Sequence, residues 1–183
     1  MMGKEFHGEH QKTDFTGNRG GKGTVLKKID TAGLAQLTQQ AQASARARMN
    51  LNLHETLQDD VQRLAIAMEP ETLILPHRHL HTWELLLSLR GRFVVLHFDE
   101  QGFVTERVVL GEGCMAQETP SGTWHAVLSL DSGGVIFEVK QGPYRPFLPA
   151  DFAPGFAGEP ADGGKMLNRW YASAQPGDRL WGG

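Results

Sequence analysis

The stretch from Pro76 to Phe98, "PHRHLHTWELLLSLRGRFVVLHF", decides how the rest of the chain is read. Its first part places histidines at 77, 79 and 81. Its second part sets two apolar runs, "WELLLSL" and "RFVVLHF", on either side of an Arg-Gly pair. Runs of this length, rich in Leu, Val and Phe and split by a turn signal, predict two β-strands. Side chains alternate along an extended segment, so positions 77, 79 and 81 project to one side. Three of the protein's 8 histidines thus share a face, and Glu84 follows closely. Imidazoles grouped beside a carboxylate suit a divalent metal better than they suit a plain surface.

Working outward, the same strand signature recurs. "TLIL", "FVTERVVL", "TWHAVLSL" and "VIFEVK" alternate with the turn signals "DEQG", "GEG", "PSG" and "DSGG". Short strands at this spacing, with no helices between them, predict a mainly β protein built as an antiparallel sandwich or barrel.

Upstream, the pattern predicts two N-terminal helices. The first spans 31–48, capped by Asp30 or Thr31, with Leu34, Leu37 and Ala41 at helical spacing. The second spans 59–68, where Val61, Leu64, Ala65 and Met68 recur at i, i+3, i+4 and i+7 before Pro70. Residues 1–24 are Gly-rich and aperiodic and read as a flexible arm, with His7 and His10 solvated. The β domain with its helices occupies 25–157. The remainder, 158–183, is rich in Gly and Pro but holds Trp170, Tyr171 and Trp181, which suggests packing on the barrel or on a partner subunit.

Bulk properties narrow the function classes. At 183 residues the chain has the length of one domain. The net charge of -3 carries no basic excess, so nucleic acid is not an expected partner. The gap between the two predicted helices is also too long for a helix-turn-helix. Cys114 is the only cysteine, which excludes an internal disulfide and fits a reducing cytoplasm. No apolar run approaches the length of a membrane span.

Spacing then carries a resemblance. His77, His79, Glu84 and Gly91 fall at the intervals of the first cupin signature, and "GCMAQETPSGTWHAVLS" supplies Pro120, Gly122 and His125 of the second. The chain resembles a cupin, which implies a double-stranded β-helix (jelly-roll) barrel and a metal held by His77, His79, Glu84 and His125. "NLNLH", "WELLLSLRGRF", "GTWH", "FEVKQGPYRP" and "DFAPGFA" look like the small cupin-fold metalloproteins of the WbuC type, over roughly residues 30–157. Glu71, the longer spacing from Gly113 to Pro120, and Ser129 depart from the usual signatures. The resemblance implies Fe, Mn, Ni, Co or Zn as cofactor and a small-molecule ligand or substrate. It implies in particular a sugar or sugar derivative of surface-polysaccharide (O-antigen) biosynthesis. A homodimer is the expected assembly.

Four other residues carry alternatives. His81 is one interval too near Glu84 for the signature and reads as a pocket-mouth residue. Glu138 and Lys140 share one face of "VIFEVK". If that face is inward, Glu138 is a general-base candidate; the pattern favours instead a charged outer face over an apolar interior. His97, alternating with Phe93 and Val95, reads as a core or rim histidine. The activity classes left open are a metal-dependent isomerase or epimerase, a dioxygenase, and a non-catalytic ligand-sensing or structural module.

Overall fold

The computed structural model describes residues 26–158 and 160–182, so the predicted arm at 1–24, with His7 and His10, lies outside the described residues. Helix α1 (Thr31–Ala43) opens the fold. Its cap is Asp30, whose side chain accepts a hydrogen bond from Gly33 N at 2.9 Å. Eight strands follow: β1 (Arg48–Asn52), β2 (Val61–Met68), β3 (Glu84–Arg90), β4 (Phe93–Phe98), β5 (Val104–Leu110), β6 (Ala116–Thr119), β7 (Trp124–Ser129) and β8 (Gly134–Gln141). A short 3-10 turn (Pro149–Asp151) and helix α2 (Lys165–Ser173) complete the order.

All strand pairs are antiparallel. One sheet has five strands in the order β1-β2-β8-β3-β6, and the other has three in the order β5-β4-β7. The Gly91–Arg92 link between β3 and β4 turns tightly, with Gly91 at φ 77°, a conformation open to glycine at little cost. The mainly β, two-sheet architecture read from the strand signatures is therefore present.

Both faces of both sheets are covered. Met68, Leu86, Phe93, Val95, Leu110, Val127 and Ile136 fill the space between the sheets, and Cys114 packs against this cluster. Burying one such side chain contributes roughly 1.5–3 kcal/mol. On the outer side of the five-stranded sheet, Leu37 and Ala41 of α1 press on Ala65, Ala67 and Val135. On the outer side of the three-stranded sheet, Val94, Leu96, Trp124 and Ala126 meet Leu167, Tyr171 and Trp181. The Tyr171 hydroxyl donates to Ile74 O at 3.2 Å, and Asn168 Nδ2 donates to Pro70 O and Thr72 O. The Gly- and Pro-rich C-terminal segment is thus a packed layer of this chain.

Two sequence expectations are corrected. The helix read over 31–48 stops at Ala43, and Arg48 begins β1, which pairs with β2 from Arg48↔Met68 to Asn52↔Leu64. The helix read over 59–68 is strand β2. Its inward face carries Leu64, Ile66 and Met68, and its outer face carries Ala65 and Ala67 beneath α1. With both faces buried, apolar residues no longer alternate, and the composite pattern mimics a helical period. Asp59 caps a loop rather than a helix: its carboxylate accepts from the backbone of Glu55 and Thr56 and from the Thr56 hydroxyl.

Candidate metal centre

His77 and His79 lie on an extended segment that leads into β3, and backbone hydrogen bonds fix that segment. His77 N donates to His125 O at 3.0 Å, and His125 N returns the bond to His77 O at 2.8 Å. Gly122 N donates to His79 O at 2.8 Å, so the Pro120–Gly122 turn clamps the same segment. Glu84 opens β3 and His125 is the second residue of β7. The two stretches, more than forty residues apart in sequence, meet here through main-chain pairing.

The side chains converge. Ring centroids of His77 and His125 are 4.3 Å apart, and those of His77 and His79 are 5.1 Å apart. One nitrogen from each of His77, His79 and His125 lies within 4.8 Å of the other two, a group that could hold a metal ion. Glu84 closes it from the side, with Oε1 3.4 Å from His79 Nε2 and Oε2 3.2 Å from His125 Nε2. All four residues are at most 9% exposed.

Tautomers follow from the neighbours. His77 Nδ1 is 2.8 Å from Leu75 O and His125 Nδ1 is 2.9 Å from Thr123 O. A carbonyl oxygen only accepts, so each Nδ1 carries the proton and donates, as metal-binding imidazoles commonly do. Burial, reinforced by the His125 and His79 rings, holds His77 well below its ordinary pKa. Burial likewise lowers His79, despite Glu84 beside it. The short His79–Glu84 approach is therefore not an ion pair at neutral pH.

What remains is a deficit. His79 Nε2 and His125 Nε2 are buried with no hydrogen-bond partner, although carboxylate oxygens stand near them. The approach has ion-pair distance without hydrogen-bond geometry. Buried polar atoms are nearly always satisfied, and imidazole lone pairs facing a carboxylate are satisfied by a cation among them. The donor set of three nitrogens and one carboxylate fits a divalent transition metal.

A second polar layer backs the group. In register across the five-stranded sheet stand Gln62, Lys140, Glu84 and Thr119, and in the next row Leu64, Glu138, Leu86 and Gln117. Lys140 Nζ is 2.7 Å from Glu138 Oε1 and 3.5 Å from Glu84 Oε1. Burial alone would raise the Glu84 carboxyl, but Lys140, His125 and His79 hold it well below the usual range. Glu138 is pushed up to about 7 by burial and by the negative charge of Glu84. Lys140 is raised, its two carboxylate neighbours outweighing burial.

The alternatives raised by the sequence now resolve. Glu138 is 8% exposed and faces inward with Ile136, while Val135 and Phe137 pack toward α1. The apolar outer face of β8 belongs to a helix interface, which corrects the reading of an exposed charged face. His97 also points inward, with Nε2 3.0 Å from both Thr119 Oγ1 and Gln117 Nε2, and is not in the metal-competent group. His81 is exposed, its ring 6.3 Å from that of His79.

Residues 142–151 contribute what the spacing of the histidines did not indicate. Phe147 lies 4.9 Å from the His77 ring and 5.1 Å from the His79 ring. Beside it opens a recess of about 290 Å³, counting its share of open solvent, lined among others by His79, His81, Lys140, Tyr144 and Arg145. The only hint in sequence is the run "QGPYRPF" directly after a strand.

A family model described as a domain of unknown function, DUF6016, matches residues 29–110. No curated protein matches. Solved structures similar to this chain include KdgF from Halomonas sp., at 18% identity and a TM-score of 0.44, covering 54% of this chain and 82% of that one. A cupin-2 domain containing protein from Shewanella frigidimarina is 16% identical, with a TM-score of 0.40 and coverage of 51% and 79%. Oxalate decarboxylase from Bacillus subtilis is 20% identical, with a TM-score of 0.43. That match covers 54% of this chain and 25% of the decarboxylase, so the chain spans about a quarter of that protein.

Proposed function

We propose that this protein is a metal-binding cupin-type protein that holds a divalent transition metal on His77, His79, Glu84 and His125 and receives a small molecule in the adjoining recess. The observation that carries the reading is the pair of partnerless buried nitrogens, His79 Nε2 and His125 Nε2, facing one carboxylate. The metal, when bound, supplies Lewis acidity toward an oxygen of the ligand. The chain's own residues do the rest. Leu75 O and Thr123 O fix the tautomers of two ligands, Lys140 keeps Glu84 ionised, and Phe147 shields the imidazoles from water.

Glu138 supports proton-transfer chemistry of the isomerase or epimerase type over passive sensing. A buried carboxyl pushed up to about 7 can hold or release a proton near neutrality, one side chain behind the recess. The sugar-derivative substrate and the polysaccharide setting rest on the WbuC-type resemblance alone. The deciding experiment is metal analysis of untagged wild type and His79→Ala. About one ion per chain in wild type and near none in the variant is expected; equal, substoichiometric contents would end this reading.

A further inference from the structure

The recess beside the histidines has an unusual lining. It carries two cations, Lys140 and Arg145, and no aspartate or glutamate. Lys140 is a cation held in place: its Nζ meets Glu138 Oε1 at 2.7 Å and Glu84 Oε1 at 3.5 Å. An ammonium has three N–H donors, so one remains after these two contacts. Arg145 is exposed, and its guanidinium makes no ion pair or hydrogen bond among the described residues, which leaves its donors open to solvent or to a ligand. His81 and Phe147 add a weakly polar and an apolar wall. Lys140 is balanced from behind by Glu138 and Glu84, so Arg145 is the cation of this lining that has no carboxylate partner among the described residues.

We propose that this recess is a carboxylate-binding site in which the Arg145 fork and the remaining Lys140 donor hold the anionic group of a small ligand beside the metal group. The inference deepens the metal-site reading and rests on it for what lies at the ligand's other end. A carboxylate fits because one planar guanidinium fork presents two parallel donors at the spacing of its two oxygens, with a single ammonium to assist. Arg145 is then a specificity-determining residue that touches ligand but no metal ligand.

The test is calorimetric titration of the full chain, loaded with Mn²⁺ and separately stripped by chelator, using glycolate, its neutral counterpart glycolamide, and inorganic phosphate. Glycolate should bind at least tenfold more tightly than glycolamide and more tightly than phosphate. Arg145→Gln should weaken glycolate by roughly tenfold, the size of one lost charge-assisted contact, and Arg145→Lys by less. Metal content of R145Q should equal that of wild type. Equal binding of glycolate and glycolamide, preference for phosphate, or an unaffected R145Q would each overturn the proposal. A chain that holds its metal but ignores glycolate's charge refutes the recess and leaves the metal site standing. A chain without metal that still binds glycolate through Arg145 does the reverse.

Discussion

The two ends of the space between the sheets are built by the same strands and do opposite things. On β3 the inward residues are Glu84 and then Leu86; on β7, His125 and then Val127; on β8, Ile136 and then Glu138; on β4, Val95 and then His97. On β4 and β7 a shift of two residues changes the lining from His97 and His125 to Val95 and Val127, whereas on β3 and β8 the boundary runs through a single row, in which Leu86 lies opposite Glu138 and Gln117. The apolar end supplies burial free energy and rigidity. The polar end holds two buried imidazole nitrogens without hydrogen-bond partners and a Glu84–Lys140–Glu138 charge cluster. Stability and chemistry are therefore separated toward the two ends of the strands, and a mutation should affect mainly one or the other except in the row where Leu86 meets Glu138.

The largest expected effect tests the apolar end. Phe93 is 0% exposed and packs against both sheets. Phe93→Ala should lower unfolding free energy by about 3–5 kcal/mol in urea titration while the folded fraction keeps its metal. Metal loss in still-folded protein would show that the two ends are not separable. At the polar end, His125→Ala should abolish metal binding and cost the metal-free protein about 2 kcal/mol, the bond to Thr123 O together with the cavity left by a side chain only 1% exposed. Wild type saturated at a hundred times its dissociation constant should gain about 2.7 kcal/mol over chelated protein, and the variant nothing.

A smaller effect concerns pH. His97 is pulled down to about 4 by burial, then by His125, so its contribution is present above pH 6.5 and lost as pH falls toward 4. His77 and His79, also lowered, act in the same direction. Glu138, raised to about 7, acts oppositely: the folded form binds its proton more readily, so stability falls as pH rises from 4.5 to 7. Glu138→Gln removes the opposing contribution. The metal-free variant should therefore gain stability more steeply than wild type between pH 4.5 and 6.5, as chemical denaturation at several pH values will read; a shallower rise would contradict the assignment. The smallest effect is that of His81→Ala. This exposed ring lies outside the group of three, and metal content should change less than twofold by elemental analysis.

Much of the site was legible because strand parity is local. Alternation alone places 77 and 79 on one side, and the spacing to Glu84, with the Pro-Ser-Gly turn before His125, pointed to the two residues that the structure brings beside them. Less of the fold was legible where packing is two-sided. Residues 61–68 and the face of Glu138 were misread for a single reason: α1 covers the outer side of β2 and β8, so apolar residues there no longer mark the interior.

By itself, the sequence determined the strand-rich class, the alternation that gathers the imidazoles, and the residue types that can hold a metal. Only the tertiary structure decided that segment 61–68 is a strand, that Glu138 and Lys140 face inward behind Glu84, and that Phe147 and Arg145 arrive beside the histidines from sixty residues away. Periodicity reports which side chains share a face. It does not report what lies opposite that face, because that is settled by contacts between segments distant in the chain.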